Sequence, residues 1–208
     1  FFAQGAAAMF GVWVQDKTGE RFVDELANRK VRADAIMTLL NEGIHCYAIA
    51  DAKGVEPMGI SRPGLMQKML ERGCVKQYET LEALAAGEKI NIEGLRKSVE
   101  EWNSAVKSGT DAHFKRYVNK KAPPMGTGPW YVSTMVPKVH HCMGGIYTDM
   151  QARALDISTD EPIPGLFAAG EATGGVHGAV RLGSCAVTDC LVYGRIAGRT
   201  AAQNESWM

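Results

Sequence analysis

Charge of neither sign is in excess in this sequence: Lys plus Arg and Asp plus Glu each total 23, for a formal net charge of +0. A chain without a basic surplus has no electrostatic pull toward phosphate backbones or anionic lipid, so nucleic acid is not an expected partner. Long apolar runs are also missing. Runs such as Gly165 to Gly170 fall far short of the roughly 20 residues that cross a bilayer, and no charged start leads into an apolar signal core, so direct membrane insertion is not expected. Cysteine is sparse. Cys46, Cys74, Cys142, Cys185 and Cys190 form an odd, widely spaced set without a CxxC pair, which excludes a disulfide scaffold or a zinc ribbon and leaves reduced thiols as the expectation. Low-complexity tracts, internal repeats and a GxGxxG phosphate loop are absent as well. The sequence opens "FFAQGAAAMFG" with no initiator methionine, from which an upstream segment carrying any targeting information is expected. The compartment stays open between cytoplasm and periplasm.

The sequence does have material for a core. With 208 residues, 46% hydrophobic and 22% charged, the chain is long enough for one or two domains. From Phe10 to Glu25 the pattern predicts a hairpin turning at Asp16-Lys17-Thr18-Gly19. "VRADAIMTLLNEG" places Ala33, Ile36, Leu39 and Leu40 on one helical face and stops at Gly43, and "IHCYAIA" then predicts a buried strand. Further helices are predicted at "PGLMQKMLERG" and at "NIEGLRKSVEEWNSAVKSG", where Asn91 caps a stripe of Leu95, Val99, Trp102 and Val106. This half is α+β.

Near residue 129 the character changes to short strands separated by glycines: "YVSTMVPKVHH", "GGIYTD", "RALDIST" and "IPGLFAAGEATGGVHGAVRLGS". A last helix, from about Ser184 to Gln203, carries small residues at Ala186, Cys190, Gly194, Ala197 and Ala201. Glycines between 165 and 183 let backbone amides approach a ligand, and a helix entered from that loop offers unpaired amides to an electron-rich atom. The run "KVHHCMGG" admits several readings on residue type alone: a metal site, a nucleophile, a substrate clamp or packing. A metal module of His140, His141, Cys142, His177 and Cys185 matches no common zinc spacing.

"GERFVDELANR", "VHHCMGGIYTD", "IPGLFAAGEATGGVHGAVRLGS" and "DCLVYGRIAG" resemble the C-terminal half of the fumarate reductase/succinate dehydrogenase flavoprotein family, most of all its soluble branch of flavocytochrome c fumarate reductases and urocanate reductase. The resemblance covers most of the chain. It implies a mixed α+β and α/β fold in which residues 1–128 are part of a capping domain and residues 129–208 the C-terminal segment of a split FAD-binding domain, with the N-terminal Rossmann half absent from this sequence. It further implies that these residues alone are inactive, that the cofactor is FAD, and that the reaction reduces an activated carbon–carbon double bond, hydride coming from reduced flavin and a proton from an acid on the opposite face. The substrate would be a small unsaturated carboxylate. The electron donor is left open among a cytochrome, a separate reductase or subunit, and reduced flavin.

The resemblance also assigns residues. His140 and Arg181 would bind the substrate carboxylate, a planar guanidinium offering two parallel hydrogen bonds and the imidazole a third donor, with Gly145 alongside. Arg29, at the end of "RFVDELANR", would be the proton donor; an arginine is a poor acid in water, so it needs a fixed setting and a relay. Glu171 would bond a sugar-chain hydroxyl of the flavin, while Gly144, Gly170 and Gly174 let backbone pass close to its ring. His141 would serve mainly by its backbone, and Ser184, Ala186 and Val187 would aim amides at the flavin O2. No metal is implied.

Two departures from the family pattern bear on the substrate. The acid and second arginine of the family's relay, about 20 residues before Arg29, are missing from "FFAQGAAAMFG", and Cys142 stands where the family has threonine. These open the substrate beyond fumarate to urocanate, methacrylate or an aromatic acrylate. The alternatives are a ketosteroid-type flavin dehydrogenase, sharing "GLFAAGE", and a non-catalytic fragment unable to bind FAD alone.

Overall fold

In the computed structural model, Val12–Gln15 (β1) and Cys46–Asp51 (β2) pair antiparallel, with Val12 opposite Ile49 and Gln15 opposite Cys46. Lys76–Tyr78 (β3) and Trp130–Met135 (β4) complete a four-stranded sheet in the order β1-β2-β4-β3, β4 lying antiparallel to both its neighbours. All six residues of β2 are buried, so its apolar run reads as a strand covered on both faces. Alternation sorts the side chains. Val12, Val14, Tyr47, Ile49, Trp130 and Val132 join one core cluster, and Trp13, Cys46, Ala48, Ala50 and Met135 the other.

The first face is covered by α5 (Leu81–Glu88) and α6 (Ile92–Ser108), which bring Leu84, Leu95, Val99 and Trp102 onto it. Asn91 accepts from the Gly94 amide at 3.1 Å and caps α6 as expected. Fully burying a side chain such as Leu95 contributes about 2 kcal/mol. The second face is covered by π-helical turns at Phe2–Ala7 running into α1 (Ala8–Phe10), by α2 (Arg29–Asn41), α3 (Ala52–Ser61) and α4 (Leu65–Glu71). Small residues on both sides, Ala6 to Ala8 and Ala48 with Ala50, allow that close layer. Gly11 is required there: a Cβ on it would stand 2.0 Å from the Ile49 carbonyl oxygen.

One buried ion cluster belongs to this unit. Arg21 donates to both Glu25 oxygens, at 2.8 and 2.7 Å, and to Asp111 Oδ2 at 2.8 Å, while Arg116 Nη1 lies 3.0 Å from Glu25. Burial works against the Arg21 charge, yet these carboxylates outweigh it and raise its pKa.

The structure describes residues 1–203 and falls into two units that part between Pro137 and Lys138. The break comes after residue 129 because β4 is bonded into the first sheet. In the second unit, Arg153–Leu155 (β5) and Pro162–Phe167 (β6) form a two-stranded antiparallel sheet, and α7 (Cys185–Gln203) follows the loop that leaves β6. Three expectations change. The second arm of the first hairpin is a single bridge, Val14 to Arg21, because Arg21 and Glu25 turn inward to the ion cluster. "GGIYTD" makes isolated bridges at Ile146 and Thr148 rather than a strand, and Ser184 lies before α7 in a left-handed conformation, φ 68°. No helix among the described residues is long and apolar enough to cross a membrane.

Candidate functional site

In the second unit two glycine-bearing loops run side by side. The Ile146 amide donates to Ala172 O at 2.9 Å and the Gly174 amide to Ile146 O at 3.1 Å. Gly145 is dictated by this approach, since a Cβ there would lie 2.3 Å from Ala172 O. Gly170 is dictated twice, by a left-handed φ of 72° and by Cys190 Sγ of α7, which its Cβ would meet at 2.7 Å.

Glu171 joins the loops electrostatically. Its carboxylate accepts the Cys142 amide at 3.0 Å and lies 3.2 Å from His141 Nδ1. The Cys142 amide, the largest influence, holds the Glu171 carboxyl below the usual carboxylate range; burial opposes it, and His141 and Arg181 add smaller lowering effects. The His141 side chain is only 4% exposed, and it meets the His177 ring edge-on with centroids 5.4 Å apart. His177 Nε2 in turn lies 3.2 Å from Asp189 Oδ2, a buried carboxylate on α7. An acid, two imidazoles and a second acid thus tie the 140s loop to α7.

Arg181 is 6% exposed. Its Nη1 donates to the neighbouring Leu182 carbonyl at 2.9 Å, its Nε has no partner, and among the described residues no carboxylate stands within ion-pair distance of it. His140 is exposed and makes no hydrogen bond among the described residues. Cys142 is exposed too, its thiol donating to Gly144 O at 3.3 Å. Ser184 and Val187 are exposed and Ala186 half-buried where α7 begins. Arg29 belongs to the first unit, as the exposed first residue of α2, and makes no hydrogen bond or ion pair among the described residues.

Of the residues singled out from the sequence, the structure therefore brings together His141, Glu171 and, through its charge, Arg181. It leaves His140 and Arg29 with free side chains. His177 and Asp189 were not assigned roles by sequence reasoning; the available signal was an acid placed on the small-residue face of α7, one position before Cys190. Among the described residues no three His, Cys, Asp or Glu side chains are grouped to ligate a metal.

The family model described as "FAD binding domain" matches residues 2–187. Urocanate reductase of Eggerthella lenta is 39% identical over 191 residues, which are 90% of this chain and 30% of that protein. Among solved structures, the open conformation of a flavocytochrome c3 fumarate reductase superposes with a TM-score of 0.69 at 33% identity, covering 98% of this chain and 34% of the other. The 3-ketosteroid Δ1-dehydrogenase of Sterolibacterium denitrificans superposes with a TM-score of 0.75 at 25% identity, covering 96% and 40%. The chain spans about a third of the length of the curated relatives it matches.

The residues present fit FAD. Added Cβ atoms on Gly144, Gly175 and Gly178 would meet nothing within 4 Å, which leaves backbone open to a flat ring. Among the described residues, His141 Nε2 and Arg181 Nε are buried polar atoms without partners, of the kind a polar ligand satisfies. A mixed α/β chain matched over residues 2–187, with open glycine backbone beside unsatisfied polar atoms, belongs to the FAD binding domain family.

Proposed function

We propose that this chain is the cap-plus-returning segment of an FAD-dependent reductase that saturates the activated C=C bond of a small unsaturated carboxylate. FAD, when bound, supplies the hydride. The residues of the chain bind and orient the substrate and deliver the proton.

The observation that carries the reading is Arg181. A buried guanidinium without a carboxylate partner is costly, several kcal/mol for an uncompensated ion, and the cost is offset when an anion binds there. Arg181 donates to the substrate carboxylate in a two-pronged contact, and exposed His140 adds a donor from the neighbouring loop. As charge develops on the substrate these donors gain strength, which lowers the barrier rather than merely tightening binding. His141, Glu171 and the glycines at 144, 145, 170 and 174 hold the loop against the cofactor.

Arg29 delivers the proton. Its placement breaks a local rule: α2 starts with Arg29, Lys30 and Arg32 and has no acid in its first turn, although the helix dipole disfavours cations there. Lys30 pairs with Asp34 and Arg32 donates to the Glu25 carbonyl, which leaves Arg29 unneutralised. Such a violation is expected at a functional position.

Anion binding also separates this reading from a ketosteroid dehydrogenase, whose neutral substrate gives Arg181 no partner. The test is an assay of the complete protein with reduced viologen against fumarate, urocanate, methacrylate, cinnamate and a 3-ketosteroid. Viologen oxidation by one or more of the unsaturated acids is the expected result. A complete protein that binds no flavin, or that turns over only the steroid, would overturn it.

A further inference from the structure

Resting on the reading of Arg29 as proton donor, we infer that Glu25 is the positioning residue for Arg29, acting through the buried cluster of Arg21, Asp111 and Arg116. The Glu25 carboxylate is fully buried and takes four donors. Arg21 Nε and the Trp13 amide reach Oε1 at 2.8 and 3.1 Å, and Arg21 Nη2 and Arg116 Nη1 reach Oε2 at 2.7 and 3.0 Å. Around it, Arg116 Nη1 also donates to Gly11 O at 2.8 Å and its guanidinium lies 3.8 Å from the Trp102 ring centroid, while Asp111 accepts the His113 and Phe114 amides. Stripping four ions of water is a poor route to stability, because apolar side chains of the same volume often do as well or better. What a fully engaged carboxylate does supply is a single permitted position.

That position is passed to α2. The Glu25 carbonyl accepts Arg32 Nη1 at 3.2 Å, and the Arg32 guanidinium lies 5.5 Å from the Trp13 ring centroid. Trp13 is also the residue whose amide binds the Glu25 carboxylate. Glu25 therefore grips β1 with its side chain and the first turn of α2 with its carbonyl, and Trp13 closes the circuit. Between these anchors, Leu26 donates to Asp24 Oδ1 at 2.8 Å and Asn28 caps α2 through the Val31 amide at 3.0 Å. Arg29 sits four residues beyond Glu25 and one turn before Arg32, so its backbone is held from both sides while its side chain is free. A proton donor that must meet one alkene carbon needs that combination, since a misplacement of about 1 Å can cost on the order of 100-fold in rate.

The test uses the complete FAD-loaded protein and the variants Glu25→Gln and Arg32→Lys. The second keeps the charge, loses the carbonyl contact, and lies outside the buried cluster, so it folds even if the first does not. Both are expected to lower kcat for enoate reduction on the order of 10- to 100-fold. KM, flavin content and reoxidation of the reduced flavin by ferricyanide, which needs no proton at carbon, are expected to stay within about twofold. A fall in enoate and ferricyanide turnover together, or a loss of flavin, would make the cluster structural only and overturn the inference. So would full enoate kcat in Arg32→Lys. Arg29→Ala separates the two claims: if it is inactive on enoates while Glu25→Gln and Arg32→Lys keep full kcat, the positioning role falls and the proton-donor reading stands. If Arg29→Ala itself turns over normally, the proton-donor reading falls.

Discussion

The Glu171 carboxylate accepts the Cys142 amide at 3.0 Å across 29 residues of sequence, so the acid of one loop fixes the backbone of the other. His140 and His141 are carried on the loop so held. Glu171→Ala in the complete protein should therefore lower flavin occupancy and raise KM for the unsaturated acid together. Glu171→Gln, which keeps an acceptor for the amide, should lose much less of both. Flavin absorbance per protein and steady-state kinetics read the difference.

Gly145→Ala should be the most damaging single methyl in the second unit. Its Cβ would stand 2.3 Å from the Ala172 carbonyl, a backbone atom with no rotamer to move into, so the paired loops must separate. The expected outcome is a protein of nearly unchanged thermal stability in the first unit, with flavin content sharply reduced. Gly144→Ala, whose Cβ meets nothing within 4 Å, should retain both the loop pairing and the folded unit, and absorbance of the purified variants compares them.

On the proposed role of Arg181, Arg181→Ala would remove a two-pronged carboxylate contact, worth about 1.5 to 3 kcal/mol for hydrogen bonds to a charged group, so kcat/KM should fall roughly 10- to 100-fold. Arg181→Lys keeps the charge but not the fork and should recover only part of that loss. Unchanged kinetics in Arg181→Ala would remove it from the site.

Some of this was legible in the sequence because local signals and packing agree. Helix α6 has a cap at Asn91 and its stripe of Leu95, Val99 and Trp102 is buried where the periodicity puts it. Helix α3 was not legible, because Gly54, Pro57 and Gly59 disfavour a helix on local propensity, whereas an Asp51 cap on the Gly54 amide at 2.9 Å and packing of its Gly54 and Met58 side against the second core make one. Short α5, with its Thr80 cap on the Ala83 amide, has too few residues for a periodic apolar stripe to announce it. At the site, "HHCMGG" and "HGAVRLG" stood out as motifs. The His141–His177–Asp189 line did not, because spacing says nothing of which side chains tertiary packing will place edge to edge. Glu25 stayed hidden for the same reason: Arg116, which reaches its carboxylate, and Asp111, which shares Arg21 with it, lie about ninety residues away.

Cys46 is wholly buried between the β1 and β4 neighbours of its strand, and that burial, with the Asp16 charge adding to it, pushes its thiol up to about 12. A folded pKa above the unfolded value of about 8.5 means a contribution to stability that is complete below that pH and is lost as pH rises toward 12. Cys46→Ala should accordingly flatten the alkaline limb of a stability-versus-pH curve. In native protein at pH 8 a thiol reagent should leave Cys46 unmodified while labelling exposed Cys74, and denaturant should expose Cys46; labelling of Cys46 at the rate of Cys74 would contradict its burial.

Asp111 supplies the opposite pH dependence. Burial alone would raise its carboxyl, but the Arg21 hydrogen bond and charge outweigh that, with the Phe114 and His113 amides, and hold it below the usual range. A depressed folded pKa contributes stability that is present above the unfolded value of about 3.9 and disappears as pH falls through the folded value. Asp111→Asn should then cost about 3 kcal/mol at pH 7, because it leaves Arg21 buried with one carboxylate instead of two. The gap between variant and wild type should begin to narrow below about pH 4, where the unfolded carboxyl takes up a proton that the folded one still refuses, and should close as pH falls through the lower folded value. Denaturant titrations of both proteins between pH 7 and pH 3 measure that convergence, and a gap that stays constant across the range would mean that the charge on Asp111 contributes nothing to the cluster.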